Sequence, residues 1–238
     1  GGVLPIQPGA RVFVTGPAAD DIGQQSGGWT ISWQGTGNTK SDFPGGSSIL
    51  DGLSEAIEAI GGTVENGTGA DYAERPDVAV VVFGEQPYAE YQGDRPTLEF
   101  EPGHKPSLAL LEALQADGIP VVAVFLSGRP QWISREINAS DAVGAALRPG
   151  SAGAGVADVL VADAAGSPRH DFSGRLSFSW PRSPLQTPLN PHHEGYDPLF
   201  ALGYGLDYAS GKTGPLQVEV NSDGAQRADA GEIRLYDG

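Results

Sequence analysis

The chain has 238 residues, with 14 Lys and Arg against 30 Asp and Glu and a formal charge of −16. Phosphate and anionic lipid are recognised by clustered Lys and Arg, so this balance disfavours non-specific nucleic-acid binding and adhesion to an anionic membrane surface. Zero Cys removes disulfides, thiol nucleophiles and iron–sulfur ligation, and 39% hydrophobic beside 18% charged residues argues against disorder.

No apolar run nears the about 20 residues that a membrane-spanning helix needs. The 35 Gly and 19 Pro predict many long, shaped loops. Zero Met and the start Gly1-Gly2-Val3, which has no leader-like apolar stretch, read as a piece of a longer polypeptide.

The run Arg11 to Thr15 predicts a short buried strand stopped by Gly16-Pro17. A loop rich in Gly, Ser and Asp follows, from Ala18 to Gly46. Ser47-Ser48 then opens a helix in which Ile49, Leu50, Leu53, Ile57 and Ile60 share one face, and Gly61-Gly62 stops it. Val78 to Phe83 is continuously apolar, the mark of a strand covered on both faces. A second long loop spans Gly84 to Gly103. Leu108, Leu111 and Leu114 repeat the helical period within Ser107 to Asp117, and Gly118 ends it.

Ile119 to Leu126 predicts a third buried strand, followed by Ser127-Gly128-Arg129-Pro130 and a short helix around Gln131 to Ile137. Ala142 to Leu147 is a fourth strand, Ala154 to Ala162 a helix of small residues, and Gly174 to Trp180 alternates like an edge strand. Strand, loop and helix repeated this way predict a three-layer α/β/α sandwich with a mostly parallel sheet, over residues 1–210. From about Lys212 the texture changes. Leu216 to Val220 and Glu232 to Tyr236 alternate apolar and polar, so residues 211–238 read as the start of a further β-rich domain or extension.

Ligands of open α/β sheets bind beyond the carboxyl ends of the strands. That rule selects the loops Ala18–Gly46, Gly84–Gly103 and Ser127–Glu136, which hold Trp29, Trp33 and Trp132. In the first loop Trp29 is expected to pack inward as an anchor and Trp33 to face outward, its flat ring a platform for a sugar. The second loop, Gly84-Glu85-Gln86-Pro87-Tyr88-Ala89-Glu90-Tyr91-Gln92-Gly93-Asp94, crowds carboxylates and tyrosines at a strand terminus. A carboxyl partly desolvated by aromatics has its pKa raised, as a general acid near neutral pH requires. The plainer reading is a loop that hydrogen-bonds its own backbone.

Other candidates are weaker. His170, His192 and His193 lack metal-ligand spacing with carboxylates, and the His192-His193 pair is expected to be solvated. Gly150-Ser151-Ala152-Gly153-Ala154-Gly155 lacks the dinucleotide-binding spacing and is expected to serve close helix–sheet packing. There is no Gly-x-Ser-x-Gly elbow, which weakens an esterase reading. Arg129 is expected to tie its loop to nearby Asp residues.

Five strings then occur in order: Gly28-Trp29-Thr30-Ile31-x-Trp33-Gln34-Gly35, Gly84-Glu85-x-Pro87-Tyr88-Ala89-Glu90-x-x-Gly93-Asp94, Ser127-Gly128-Arg129-Pro130, Pro149-Gly150-Ser151-x-Gly153-x-Gly155-Val156-Ala157-Asp158, and Phe200-x-Leu202-Gly203-Tyr204-Gly205-Leu206. Over residues 5–209 the chain resembles the second, α/β-sandwich domain of glycoside hydrolase family 3, in its β-glucosidase and exo-β-glucanase branch. The resemblance implies a retaining mechanism with an Asp nucleophile on a (β/α)8 barrel that packs against this domain, and a Glu acid/base supplied from here. It places the acid/base on Glu90, with Glu85 the rival, and one wall of the aromatic clamp around the sugar on Trp33. It implies a β-linked gluco-oligosaccharide or glucan substrate, no metal or organic cofactor, and a periplasmic or extracellular location. Ala152 departs from the Glu that relatives commonly carry in the Pro-Gly-Ser turn. Two other readings stand beside this one: a non-catalytic carbohydrate-binding module, or family 3 specificity for β-xylosides or N-acetylglucosaminides.

Overall fold

A strand whose two faces are both covered needs apolar residues at every position, and Val78 to Phe83 meets that demand. In the computed structural model, which describes residues 2–210 and 216–225, this run is the central strand of a five-stranded, wholly parallel sheet. The strands are β1 (Arg11–Thr15), β2 (Thr63–Asn66), β3 (Val78–Gly84), β4 (Val121–Leu126) and β5 (Ala142–Ala146), in the order β2-β1-β3-β4-β5. Val12 lies opposite Val78, Ala79 opposite Val121 and Val122 opposite Ala142.

Alternation along the strands sorts the core into two layers. Val12, Val14, Val80, Val82, Val122 and Val124 face helices α2 (Ile49–Glu58) and α5 (Gly153–Leu160), meeting Ile49, Leu53, Ile57, Ala157 and Leu160. Phe13, Val81, Phe83, Val121 and Phe125 face the other way, toward α3 (Pro106–Ala116) and α4 (Ser134–Asn138), where Leu111, Leu114, Ile133, Ile137 and Trp180 complete the layer. The three-layer α/β/α sandwich is therefore present.

Helix α2 starts where Ser48 and Asp51 form a capping box, the Ser48 hydroxyl accepting from the Asp51 N–H and the Asp51 carboxylate from the Ser48 N–H. The Gly150–Gly155 stretch packs helix on helix rather than helix on sheet. A Cβ on Gly153 would stand 2.2 Å from the Ser48 carbonyl carbon, so only glycine lets the start of α5 rest on the start of α2.

Two elements escape the sequence pattern. Strand β2 is an edge strand with Val64 as its one aliphatic residue, and α1 (Ile22–Ser26) is five residues long, too short to display a period. Gly174 to Trp180 forms no strand. Its contact with the returning chain is reduced to a bridge between Trp180 and Phe200 and a pair of bonds between Leu176 and 203–204, because the side chains serve to roof the α3–α4 layer. Leu216 to Val220 likewise joins no ladder. Val218 is instead held at both backbone atoms by the Asn138 amide, and the partner expected at 232–236 lies outside the described residues.

Candidate active site

With strand order 2-1-3-4-5 the chain moves outward from β1 to β2, then returns to place β3 on the other side of β1. The loops leaving the carboxyl ends of β1 and β3 therefore diverge at a switch point, the place where open α/β sheets bind ligands. Here those two loops are fastened together. Gln24, on α1, donates its side-chain amide to the carbonyls of Gly84 and Glu85 at 2.9 and 3.1 Å. Gly28 lies so close to the second loop that a Cβ would stand 1.9 Å from the Tyr88 carbonyl oxygen. Gln34 accepts from the Ala89 N–H at 2.7 Å and donates to the Glu90 carbonyl at 3.0 Å.

The two candidate carboxylates occupy opposite environments. The Glu85 side chain is 6% exposed and is held by four residues. Its Oε1 accepts from Gln131 at 2.6 Å, from Arg129 Nε at 2.9 Å and from Arg95 at 3.2 Å, and its Oε2 accepts from the Ser127 hydroxyl at 2.8 Å. Arg129 thus clamps Glu85 rather than a nearby Asp, and its guanidinium also covers the Tyr88 ring at 4.0 Å. Glu90 is exposed at the tip of the second loop and receives the Trp33 indole N–H on Oε2 at 2.7 Å.

That N–H, with the residue's own backbone N–H, favours the ionised form and holds the Glu90 pKa below the ordinary carboxylate range. The expected upward shift by aromatic desolvation is absent in this chain, because Glu90 remains in solvent while its donors stabilise the charge.

Trp29 corrects another expectation. It is 68% exposed, not inward-packed. The Trp29 N–H donates to the Trp33 carbonyl at 2.9 Å, closing a loop too small to house an indole, and positive φ angles at Trp29 and Ile31 turn both side chains outward. Trp33 is 47% exposed and sits in an aromatic group with Trp29 at 6.3 Å and Tyr91 at 5.9 Å, the latter edge-on. Trp132, by contrast, is wholly buried. His170 and His192 are exposed, and His193 is half-buried against the His192 ring.

A buried ionic group at the far end of the β3–α3 loop lies outside the sequence expectations. Lys105 reaches Glu99 at 3.2 Å, Glu136 at 3.8 Å and the Phe100 carbonyl at 2.6 Å. Burial pushes the Glu136 carboxyl up to about 7, against the opposing pull of Lys105. The available signal is Glu136 between Ile133 and Ile137, an acid on the apolar face of a short helix.

Residues 1–208 match the model of the glycosyl hydrolase family 3 C-terminal domain, and the chain belongs to that family. Its fold is similar to part of the exo-1,3/1,4-beta-glucanase from a Pseudoalteromonas species, with a TM-score of 0.87 and 51% identity over 93% of this chain and 27% of that one. The lysosomal beta glucosidase of Dictyostelium discoideum is 34% identical over 87% of this chain and 27% of its own length. A periplasmic beta-glucosidase of Salmonella typhimurium is 26% identical over 87% of this chain and 32% of its length. The chain therefore spans about a third or less of these relatives.

Proposed function

We propose that this chain is the acid/base-donating domain of a retaining, exo-acting β-glucosidase or β-glucan glucohydrolase that releases glucose from non-reducing ends. The observation that carries the reading is the contrast between the two glutamates. The Glu85 side chain is buried and held by Arg95, Arg129, Gln131 and Ser127, whereas Glu90 projects from two fastened loops at the sheet's switch point, beside an exposed indole. A residue that must give a proton to a glycosidic oxygen and later take one from water needs that freedom.

In this reading a (β/α)8 barrel packs on the loop face and supplies the nucleophilic Asp, about 5–5.5 Å from Glu90 as retention requires. The barrel's packing removes water from Glu90, and the negative charge of the nucleophile comes close. Both effects raise the Glu90 pKa from its depressed value toward that of a working acid. Trp33 supplies one face of the clamp around the leaving sugar. No step calls for a metal or organic cofactor. The setting in this reading is periplasmic or extracellular, supported by the periplasmic and lysosomal names of the Salmonella and Dictyostelium relatives.

The test uses a polypeptide that joins this chain to a family 3 barrel. Glu90→Ala should cripple hydrolysis of cellobiose or laminaribiose far more than glycosylation by a dinitrophenyl glucoside, whose leaving group departs unaided. Azide should then restore turnover as β-glucosyl azide. Azide rescue of Glu85→Ala with no rescue of Glu90→Ala would move the assignment to Glu85. The isolated chain, which carries one of the two carboxylates needed, should release no aryl glucoside. The exposed group of Trp29, Trp33 and Tyr91 favours one other reading, a non-catalytic sugar-binding module. Activity of the barrel-joined polypeptide that is indifferent to Glu90 and Glu85 alike would support it.

A further inference from the structure

We propose that Gln34 is a positioning residue for Glu90, fixing the peptide from which the carboxylate springs. The inference rests on Glu90 being the acid/base.

The geometry is specific. Gln34 Oε1 accepts from the Ala89 N–H at 2.7 Å and Gln34 Nε2 donates to the Glu90 carbonyl at 3.0 Å, so one side-chain amide grips the chain on both sides of the Glu90 Cα. A primary amide carries an acceptor and a donor in one plane, which lets it pair with a passing backbone as a neighbouring strand would. The alternative orientation of the amide would set donor against donor and acceptor against acceptor, so the assignment of oxygen and nitrogen is fixed by chemistry.

Gln34 is itself held. Asn38 donates to the Thr30 and Gly35 carbonyls at 3.0 and 3.1 Å, and the Trp29–Trp33 backbone bond closes the loop just before it. On the receiving side, Gly93 donates to the Ala89 carbonyl at 2.8 Å and Gln92 to the Glu90 carbonyl at 3.0 Å. The segment around Glu90 is therefore a tight turn whose backbone is braced from outside by Gln34. Its neighbour Trp33 contacts the Glu90 carboxylate, so two consecutive residues set first the head group and then the backbone. Without Gln34 the turn keeps its internal bonds and the other fastenings between the loops, and loses the brace that holds its backbone at Ala89 and Glu90.

A misplacement of about 1 Å costs on the order of a hundredfold in a reaction that depends on the displaced group. Loss of the brace should therefore be felt only where Glu90 is needed. In the barrel-joined polypeptide, Gln34→Ala and the volume-conserving Gln34→Met should each lower kcat/KM for cellobiose by about 10- to 100-fold. The glycosylation rate with 2,4-dinitrophenyl β-glucoside should change by less than about threefold, since that leaving group needs no proton.

Intact sites are counted in each preparation by the burst of dinitrophenolate from a slow 2-fluoroglucoside, so that unfolded protein is not read as lost catalysis. An equal fall on both substrates, or no fall on either, would overturn the positioning role while Glu90→Ala still shows its leaving-group dependence. If Glu90→Ala shows no such dependence, the acid/base reading itself fails and the role of Gln34 fails with it.

Discussion

Trp33 donates its indole N–H to Oε2 of Glu90 at 2.7 Å, joining residues separated by 57 positions in the chain. The indole thus has two roles to offer: its face to a sugar and its edge to the proposed acid/base. Trp33→Phe separates them, keeping a face and removing the donor. An N–H donor stabilises the carboxylate, so its loss should raise the Glu90 pKa. Carboxyl-carbon NMR of the isolated chain should show Glu90 titrating at higher pH in the variant. In the barrel-joined polypeptide the alkaline limb of kcat/KM should move the same way.

The exposed indoles should differ from each other in consequence. Trp33→Ala in the barrel-joined polypeptide should raise KM for oligosaccharides about fivefold, on the order of 1 kcal/mol of aromatic contact. Trp29→Ala should alter folding stability by no more than about 0.5 kcal/mol, because its ring is mostly in solvent. Urea unfolding of the two variants beside the parent checks the second expectation.

Glu85→Ala should behave as a broken buried ion pair. Arg129, Arg95 and Gln131 would lose their common acceptor, at a cost of about 3–5 kcal/mol. The damage should appear as a lower denaturation midpoint and as loss of activity toward good and poor leaving groups alike. Glu85→Gln, which keeps an acceptor oxygen, should recover part of the stability.

Glu136 predicts a pH dependence of an uncommon sign. Its carboxyl is raised from 4.5 to about 7 by burial, so the folded state binds a proton more tightly than the unfolded chain does. Stability from this site is fully present below about pH 4.5, declines as pH rises toward 7, and stays lost above it. Lys105 and Arg135 oppose the shift and Glu101 adds to it. Glu136→Gln should flatten the slope of unfolding free energy between pH 5 and 7, measured by urea titrations across that range.

The parts of this chain that can be read from sequence are those in which one physical demand dominates. Val78–Phe83 and Val121–Leu126 are apolar throughout because both faces of the sheet are covered, and Leu108, Leu111 and Leu114 mark the single buried face of α3. Edge strand β2 escapes because it is half in solvent and needs no apolar pattern. The loop carboxylates can be found by composition, but their opposite environments cannot. Glu85 is buried by Ser127, Arg129 and Gln131, which arrive from another strand, and no local pattern encodes their approach. Trp29 defeats the inward-anchor expectation for a related reason: its outward direction is set by left-handed backbone at two non-glycine residues.

The position of β1 has a consequence for the order in which the molecule can be made. The first of the five strands to be synthesised lies inside the sheet, and both of its neighbours are made later. Arg11 waits for Thr63, and Val12 for Val78. Until β3 has emerged, Val12, Phe13 and Val14 have at most one partner strand, although all three are fully buried in the end. Pairings this distant pay loop closure before they gain contacts, which makes folding slow. The nascent chain therefore carries an apolar strand with an open edge until β3 has emerged, and segments arrested before Val78 should engage chaperones that longer ones escape.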